Sequence, residues 1–304
     1  MSKILVTGGA GFIGSNIVEA LVDRGDEVTV IDKLSTGSEE NLEEVKDRID
    51  LIQSPCADIP ELEFDNPEKI FHIGIPSSSP MYREDPLLVG SAINEFIKVM
   101  ELAKENDSKV VYASSSSMYG RCDPPHREDM EVEAFDYYTE ARLAMERLAK
   151  VYHELHGVNS VGMRFFSVYG PHERAKGKYA NILSQFFWKM KEDQEPTIFG
   201  DGEQTRDFTH VSDVVKACLK AAEENLGYEI INVGTGTETT FNEVVDLLNE
   251  KLGKSIEPKY VENPIENYVH RTLADLTKAK SLLNYEPSVE LEEGVERMIE
   301  RNRN

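Results

Sequence analysis

Tyr138 and Arg142 stand four residues apart in the stretch DYYTEAR, Asp136 to Arg142. On a helix that spacing puts them on one face. A permanent cation beside a phenol favours the phenolate and turns a weak acid into a usable proton acceptor. The same spacing also describes a packed aromatic beside a solvated charge, and the pair alone does not separate the two. Ser114 to Ser117 are a second candidate, four hydroxyls placed directly after an apolar run in VVYASSSSMYG. A hydroxyl at the carboxyl end of a parallel strand can hold a reacting alcohol or ketone oxygen. Ordinary turn chemistry accounts for serines there equally well.

A third motif supplies context. TGGAGFIG carries Gly8, Gly11 and Gly14 at three-residue spacing, and G-x-G-x-x-G from Gly9, between an apolar run and a helical pattern. A diphosphate that approaches such a turn leaves no room for a Cβ, and the following helix offers free N–H groups and the positive end of its dipole. Asp32 closes the next apolar run. A carboxylate there accepts from both hydroxyls of a ribose and repels a 2′-phosphate. The combination points to a Rossmann-type dinucleotide site and favours NAD over NADP, with Lys33 next door softening that preference.

The elements that must position these residues alternate. KILVTG, EVTVID, IDLIQ, KIFHIGI, KVVYAS and SVGMRFF read as buried strands. GSNIVEALVDRG, FIKVMELAKEN and ARLAMERLAKVYHELHG read as helices between them. That order predicts an α/β fold, a doubly wound parallel sheet with helices on both faces. After Arg164 the rhythm loosens into polar, glycine-containing loops, with YEIINVG as a further strand and NEVVDLLNEKLG as a further helix. The expected division is a nucleotide-binding domain of residues 1–165 plus about 208–235, and a smaller C-terminal α/β substrate-binding cap of 166–207 plus 236–304.

Composition excludes several classes. The chain has 304 residues, a hydrophobic fraction of 40% and a net charge of -23, so a packed core is affordable and a basic nucleic-acid footprint is missing. Cys56, Cys122 and Cys218 are far apart and odd in number, which predicts reduced, structural thiols with neither a disulfide framework nor a thiolate metal site. No signal peptide and no bilayer-length apolar run is evident. The expectation is a cytoplasmic protein with no membrane, nucleic-acid or metal partner.

Together the motifs resemble the extended short-chain dehydrogenase/reductase family, especially its nucleotide-sugar epimerases and dehydratases, of which UDP-glucose 4-epimerase is one. The resemblance runs from ILVTGGAGFIG through DKLSTG, FHIGIPSSSPMYREDP, YASSSSMYG, RFFSVYGP, GDGEQTRDFTHVSDVV and INVGTGTETT to LEEGVERM, essentially the whole chain. It implies NAD held by Gly8, Gly11, Phe12, Ile13 and Gly14, with Asp32, Ser35 and Gly37 at the adenosine ribose and Asp58 and Ile59 beside the adenine. It implies Ser115, four residues before Tyr119, as the catalytic serine, and Tyr138 as the catalytic base. Phe165, Phe166 and Ser167 would lie near the nicotinamide, Arg206 on the substrate diphosphate, and Ser116 beside the sugar.

The chain departs from the family pattern in places. Arg142 occupies the position of the family's lysine; it keeps the charge but not the compact ammonium that bonds the nicotinamide ribose. Ser167 replaces an asparagine. Ile265, Glu266, Asn267 and Tyr268 replace a segment that carries a second diphosphate arginine. Ala92 to Phe96 replace a helix start of the form N-V-x-G-T. His172, Arg174, Lys176 and Lys178 are candidate replacement cations, or a solvated loop. Dehydratase and decarboxylase members carry acids where this chain has Ser116 and Ser117. The resemblance therefore implies an NAD-dependent 4-epimerase of a UDP-glucose-like nucleotide sugar, working as a homodimer. The alternatives are another nucleotide-sugar oxidoreductase, dehydratase or decarboxylase, and an NAD-binding protein whose catalysis the arginine has impaired.

Overall fold

The computed structural model describes residues 1–265 and 268–302. Short apolar runs ending at glycines or polar turns form its main sheet. The first six strands are β1 (Lys3–Thr7), β2 (Glu27–Ile31), β3 (Ile49–Ile52), β4 (Lys69–His72), β5 (Lys109–Ser115) and β6 (Ser160–Phe165). In β5 and β6 almost every residue is buried, without alternation, because helices cover both faces. One face carries α1 (Phe12–Arg24). The other carries α3 (Leu88–Asn106), which follows the short α2 (Ser79–Glu84), and α4 (Tyr137–His156). Ile17, Val18 and Leu21 of α1 are fully buried, each such burial contributing about 1.5–3 kcal/mol. Gly25 stops α1 in the left-handed region at φ 88°, its N–H reaching the carbonyls of Leu21 and Val22.

The second half adds α5 (Ile182–Lys191), α6 (Val211–Glu223), α7 (Phe241–Leu252), α8 (Thr277–Leu283) and α9 (Leu291–Arg301). Its strands are short: β7 (Val168–Tyr169), β8 (Thr197–Phe199), β9 (Thr205–Arg206), β10 (Thr209–His210), β12 (Thr239–Thr240) and β13 (Lys259–Val261). The exception is β11 (Tyr228–Val233), which returns to the main sheet. The seven-stranded order is β11-β6-β5-β4-β1-β2-β3, and every neighbouring pair is parallel. The chain winds outward in both directions from β1 and β4. Their carboxyl ends therefore border the crevice where this topology binds ligands.

Phe186, Phe187, Met190, Val244, Leu248 and Met298 form a second apolar cluster beneath α5, α7 and α9. The helix α8 belongs elsewhere. Although it falls in the segment expected to build the cap, its Ala279 and Leu283 pack into the main-sheet core beside α6 and β11. Short apolar helices follow whichever unfilled face lies nearest in space, and linear order does not specify that. None of the described helices is long and apolar enough to cross a membrane.

Candidate active site

The glycine turn sits where β1 ends. Gly8 has φ 70°, and a Cβ there would lie 2.3 Å from Gly74 Cα on the chain leaving β4. A Cβ on Gly14 would lie 2.0 Å from Gly8 O. No side chain caps the N-terminus of α1. The first-turn N–H groups and the dipole end thus face the crevice from a backbone that has no room for side chains. Asp32 terminates β2 and holds the turn: its carboxylate accepts from Ala10 N at 2.9 Å and Leu34 N at 2.7 Å. Each carboxylate oxygen keeps a further acceptor site for a ribose hydroxyl. These residues fit a dinucleotide diphosphate and its adenosine ribose.

A cavity of 510 Å³ runs from this turn across the carboxyl ends of β1, β4, β5 and β6. Gly8, Gly11, Phe12, Ile13, Gly14, Asp32, Ser35 and Gly37 border it at one end. Ser115, Ser116, Tyr138, Arg142, Phe165, Ser167 and Arg206 border the rest. Residues far apart in sequence are therefore brought to one space. Phe166 turns away into a small cluster with Tyr119 and Ala274. Asp58 and Ile59 are not among the residues bordering the cavity: Asp58 accepts from Ser54 Oγ at 3.1 Å, and Ile59 is buried in the core. Ser54 and Cys56 border the cavity at that end instead.

Tyr138 owes its place to the start of α4. Asp136 caps the helix, its Oδ1 accepting from Thr139 N at 2.8 Å, while Thr139 Oγ1 accepts from Asp136 N at 3.1 Å. The Tyr138 ring meets Tyr82 of α2 edge to face at 5.5 Å. Its hydroxyl has no hydrogen-bond partner among the described residues. The Arg142 Cζ lies 4.9 Å from the centre of the Tyr138 ring. Arg142 is buried, and its Nη2 donates to Pro76 O at 2.8 Å. The sequence spacing thus corresponds to a real juxtaposition, with the cation held by the loop after β4 and screened from water.

The four serines divide. Ser114 Oγ donates to Glu146 Oε1 at 2.7 Å and joins a buried network. In that network Arg164 donates twice to Glu146, at 3.0 and 2.8 Å, and once to Tyr119 Oη at 2.6 Å. Ser115 ends β5 and accepts from Ser117 N at 3.1 Å. Its own O–H remains available as a donor. Ser167 follows β6 at φ 25°, a strained value for a residue with a side chain. Arg206 is carried on β9 with its guanidinium between the rings of Phe241 and Tyr268, 5.4 Å from each. Its neighbour Asp207 accepts from Thr235 N at 2.7 Å, Gly236 N at 2.9 Å and Ala274 N at 3.1 Å, tying three segments behind the cavity.

The loop cations also separate. Lys176 borders the cavity, Lys178 pairs on the surface with Glu84 at 2.6 Å, and His172 and Arg174 face a different cavity. Sequence reasoning missed Glu95, which lines the cavity from α3 although the chain's departure at Ala92–Phe96 marked the place. Burial raises the Glu95 carboxyl above its ordinary range, against the charges of Lys33 and Lys98. Of the departure at residues 265–268, Glu266 and Asn267 lie outside the described residues.

The chain is similar to known proteins along its length. Residues 4–234 match the family model described as "NAD dependent epimerase/dehydratase family". A putative UDP-glucose 4-epimerase of Methanocaldococcus jannaschii is 35% identical, over 97% of this chain and 97% of its own. UDP-glucuronic acid decarboxylase 1 of Arabidopsis thaliana is 33% identical, over 99% of this chain and 70% of its own. The crystal structure of UDP-glucose 4-epimerase from Thermotoga maritima with UDP-glucose superposes with a TM-score of 0.92, at 33% identity, covering 99% of this chain and 98% of that one.

Proposed function

Since this chain belongs to the NAD-dependent epimerase/dehydratase family and takes NAD as its cofactor, we propose that it is a nucleotide-sugar 4-epimerase with a UDP-glucose-like substrate. The observation that carries the reading is the convergence of Ser115, Tyr138 and Arg142 on one cavity with Arg206 and the glycine turn. NAD, when bound, supplies a hydride acceptor that is restored at the end of each cycle. Tyr138 takes the proton of the sugar 4-hydroxyl and later returns it. Arg142 lends positive charge to that exchange from a site that excludes water. Ser115 donates to the sugar oxygen and holds it in reach of Tyr138. Arg206 and Lys176, which both border the cavity, meet the substrate diphosphate against the protein's unfavourable net charge.

Decarboxylation is the rival reading, because a decarboxylase is among the relatives. Ser117 stands where the resemblance implies an acid in that class, and a serine hydroxyl neither gives nor takes a proton usefully near neutral pH. The NAD-loaded protein should be incubated with UDP-glucose, UDP-N-acetylglucosamine and their uronic acids. The expected product is a 4-epimer, with no release of carbon dioxide and no net reduced cofactor. Carbon dioxide from UDP-glucuronic acid would assign the decarboxylase reading, and no epimer from any substrate would overturn this one. We also propose a homodimer, paired through α3 and α4, where Val151 and Leu155 stand exposed. Its check is the mass in solution by light scattering.

A further inference from the structure

The loop that contributes Lys176 to the main cavity also borders a second cavity of 400 Å³, on which His172, Arg174, Trp188, His210, Arg297 and Arg301 converge. Three arginines thus line one concavity in a chain whose net charge is -23. Gathering like charges around a low-dielectric wall is unfavourable unless an anion enters.

Their present partners leave this charge largely uncompensated. Arg297 Nη2 donates to Glu293 Oε1 at 2.5 Å. Among the described residues, Arg174 and Arg301 have no carboxylate within ion-pair reach. The Arg174 Cζ lies 4.6 Å from the centre of the Trp188 ring, and among the described residues its guanidinium donates to no acceptor, so its N–H groups are left for another. Arg301 Nη2 is 3.0 Å from His172 Nε2, the same nitrogen that lies 2.9 Å from Glu19 Oε1. One ring nitrogen donates or accepts, but does not do both. When it donates to Glu19, Arg301 has no acceptor there. Glu173 also borders the cavity, but it is buried and spends its carboxylate on Asn181 N and Ser184 Oγ, each at 2.6 Å, with Lys176 at 3.7 Å.

We propose that this second cavity is a binding site for a small phosphate-bearing anion, held by Arg174, Arg297 and Arg301 beside Trp188. Guanidinium forks match phosphate oxygens in geometry and charge, and the cavity is of a size for a small metabolite.

Trp188 is the protein's single tryptophan and lies in this cavity, not in the main one. Its fluorescence in the NAD-saturated full chain is therefore a local readout. Titration with inorganic pyrophosphate, and separately with glucose 1-phosphate, should give a saturable change that potassium chloride of matched ionic strength does not reproduce. Stronger binding of pyrophosphate would identify an inorganic diphosphate-type anion as the favoured occupant, and stronger binding of the ester a phosphorylated metabolite. Arg297→Ala and Arg301→Ala should each weaken binding about tenfold, the loss of one charge-assisted contact. Arg301→Gln gives the same reading if alanine disturbs the end of α9. No saturable change with either anion, an equal change with chloride, or unaltered affinity in the variants would overturn the proposal.

Discussion

Arg142 lies against the ring of Tyr138, its Cζ 4.9 Å from the ring centre, and its Nη2 is anchored to Pro76 O at 2.8 Å. The anchor fixes a bulky, permanently charged group beside the phenol, where the family resemblance implies a lysine. The carbonyl it uses belongs to the loop leaving β4, so the cation's position depends on two separate elements of the sheet's upper edge.

Substitution at this pair should separate charge from shape. Tyr138→Phe removes the proton acceptor and should lower turnover about a hundred- to ten-thousand-fold, with NAD still bound. Arg142→Met removes the charge and leaves the Pro76 carbonyl without its donor, at about 1–3 kcal/mol of stability. Arg142→Lys keeps the charge, and should hold turnover well above that of the methionine variant. Turnover with saturating substrate checks all three. Equal rates in the lysine and methionine variants would mean that the cation is only a packing group.

At the glycine turn the constraint is steric. A methyl group on Gly14 would collide with Gly8 O, and the backbone cannot yield without moving Asp32's contacts to Ala10 and Leu34. Gly14→Ala should therefore cost about 2–4 kcal/mol of stability, in the range for strained backbone positions, and release the cofactor. Thermal unfolding and the NAD content of the purified variant measure both effects. A variant that melts normally and retains NAD would show that the turn has slack.

Much of this was legible in the sequence, for identifiable reasons. The strand–glycine–helix order around Gly8, the acid at the end of β2 and the spacing of Tyr138 and Arg142 are local, and local periodicity carries them. Three things were not local. Asp58 and Ile59 lie near the expected adenine end, but it is Ser54, just before the helical turn Cys56–Glu61, and Cys56 at its start that border the cavity. Ser114 and Ser115 are indistinguishable as neighbours in sequence and both border the cavity, yet Ser114 spends its hydroxyl proton on Glu146 while Ser115 only accepts, from Ser117 N. The loop cations His172, Arg174, Lys176 and Lys178 read as one group, and the fold distributes them over two cavities and the surface.

Acid sensitivity should trace in part to His72. It is fully buried on β4, with Nδ1 2.8 Å from Thr7 Oγ1, and burial, with Arg142 nearby, lowers its pKa from 6.5 to about 3. Its folded pKa lies below the unfolded one, so between those values the unfolded chain binds a proton that the native protein does not. The stabilisation is complete above pH 6.5 and is lost as pH falls towards 3. The slope is up to about 1.4 kcal/mol per pH unit. Urea unfolding at several pH values should show a shallower acid slope for His72→Gln than for the wild type. Parallel curves would remove His72 from the account.

The ion pair of Arg164 and Glu146 supports the serine end of β5 from beneath. Both side chains are almost fully enclosed, at 5% and 6% exposure, and two Arg164 nitrogens bond the carboxylate while a third bonds Tyr119. Arg164→Met would leave Glu146 as a buried charge with only Ser114 Oγ as a donor, which should cost about 3–5 kcal/mol. Replacing both partners, Arg164→Met with Glu146→Leu, removes the stranded charge and should recover much of that loss. The single variant keeps the Ser114–Glu146 bond, so its apparent KM for sugar substrate should stay near that of the wild type; the double variant removes that bond beside Ser115 and should raise KM while regaining stability. Denaturant midpoints and steady-state kinetics on the two proteins together test this. If the double variant has a normal KM, the pair holds up the fold and has no part in placing Ser115.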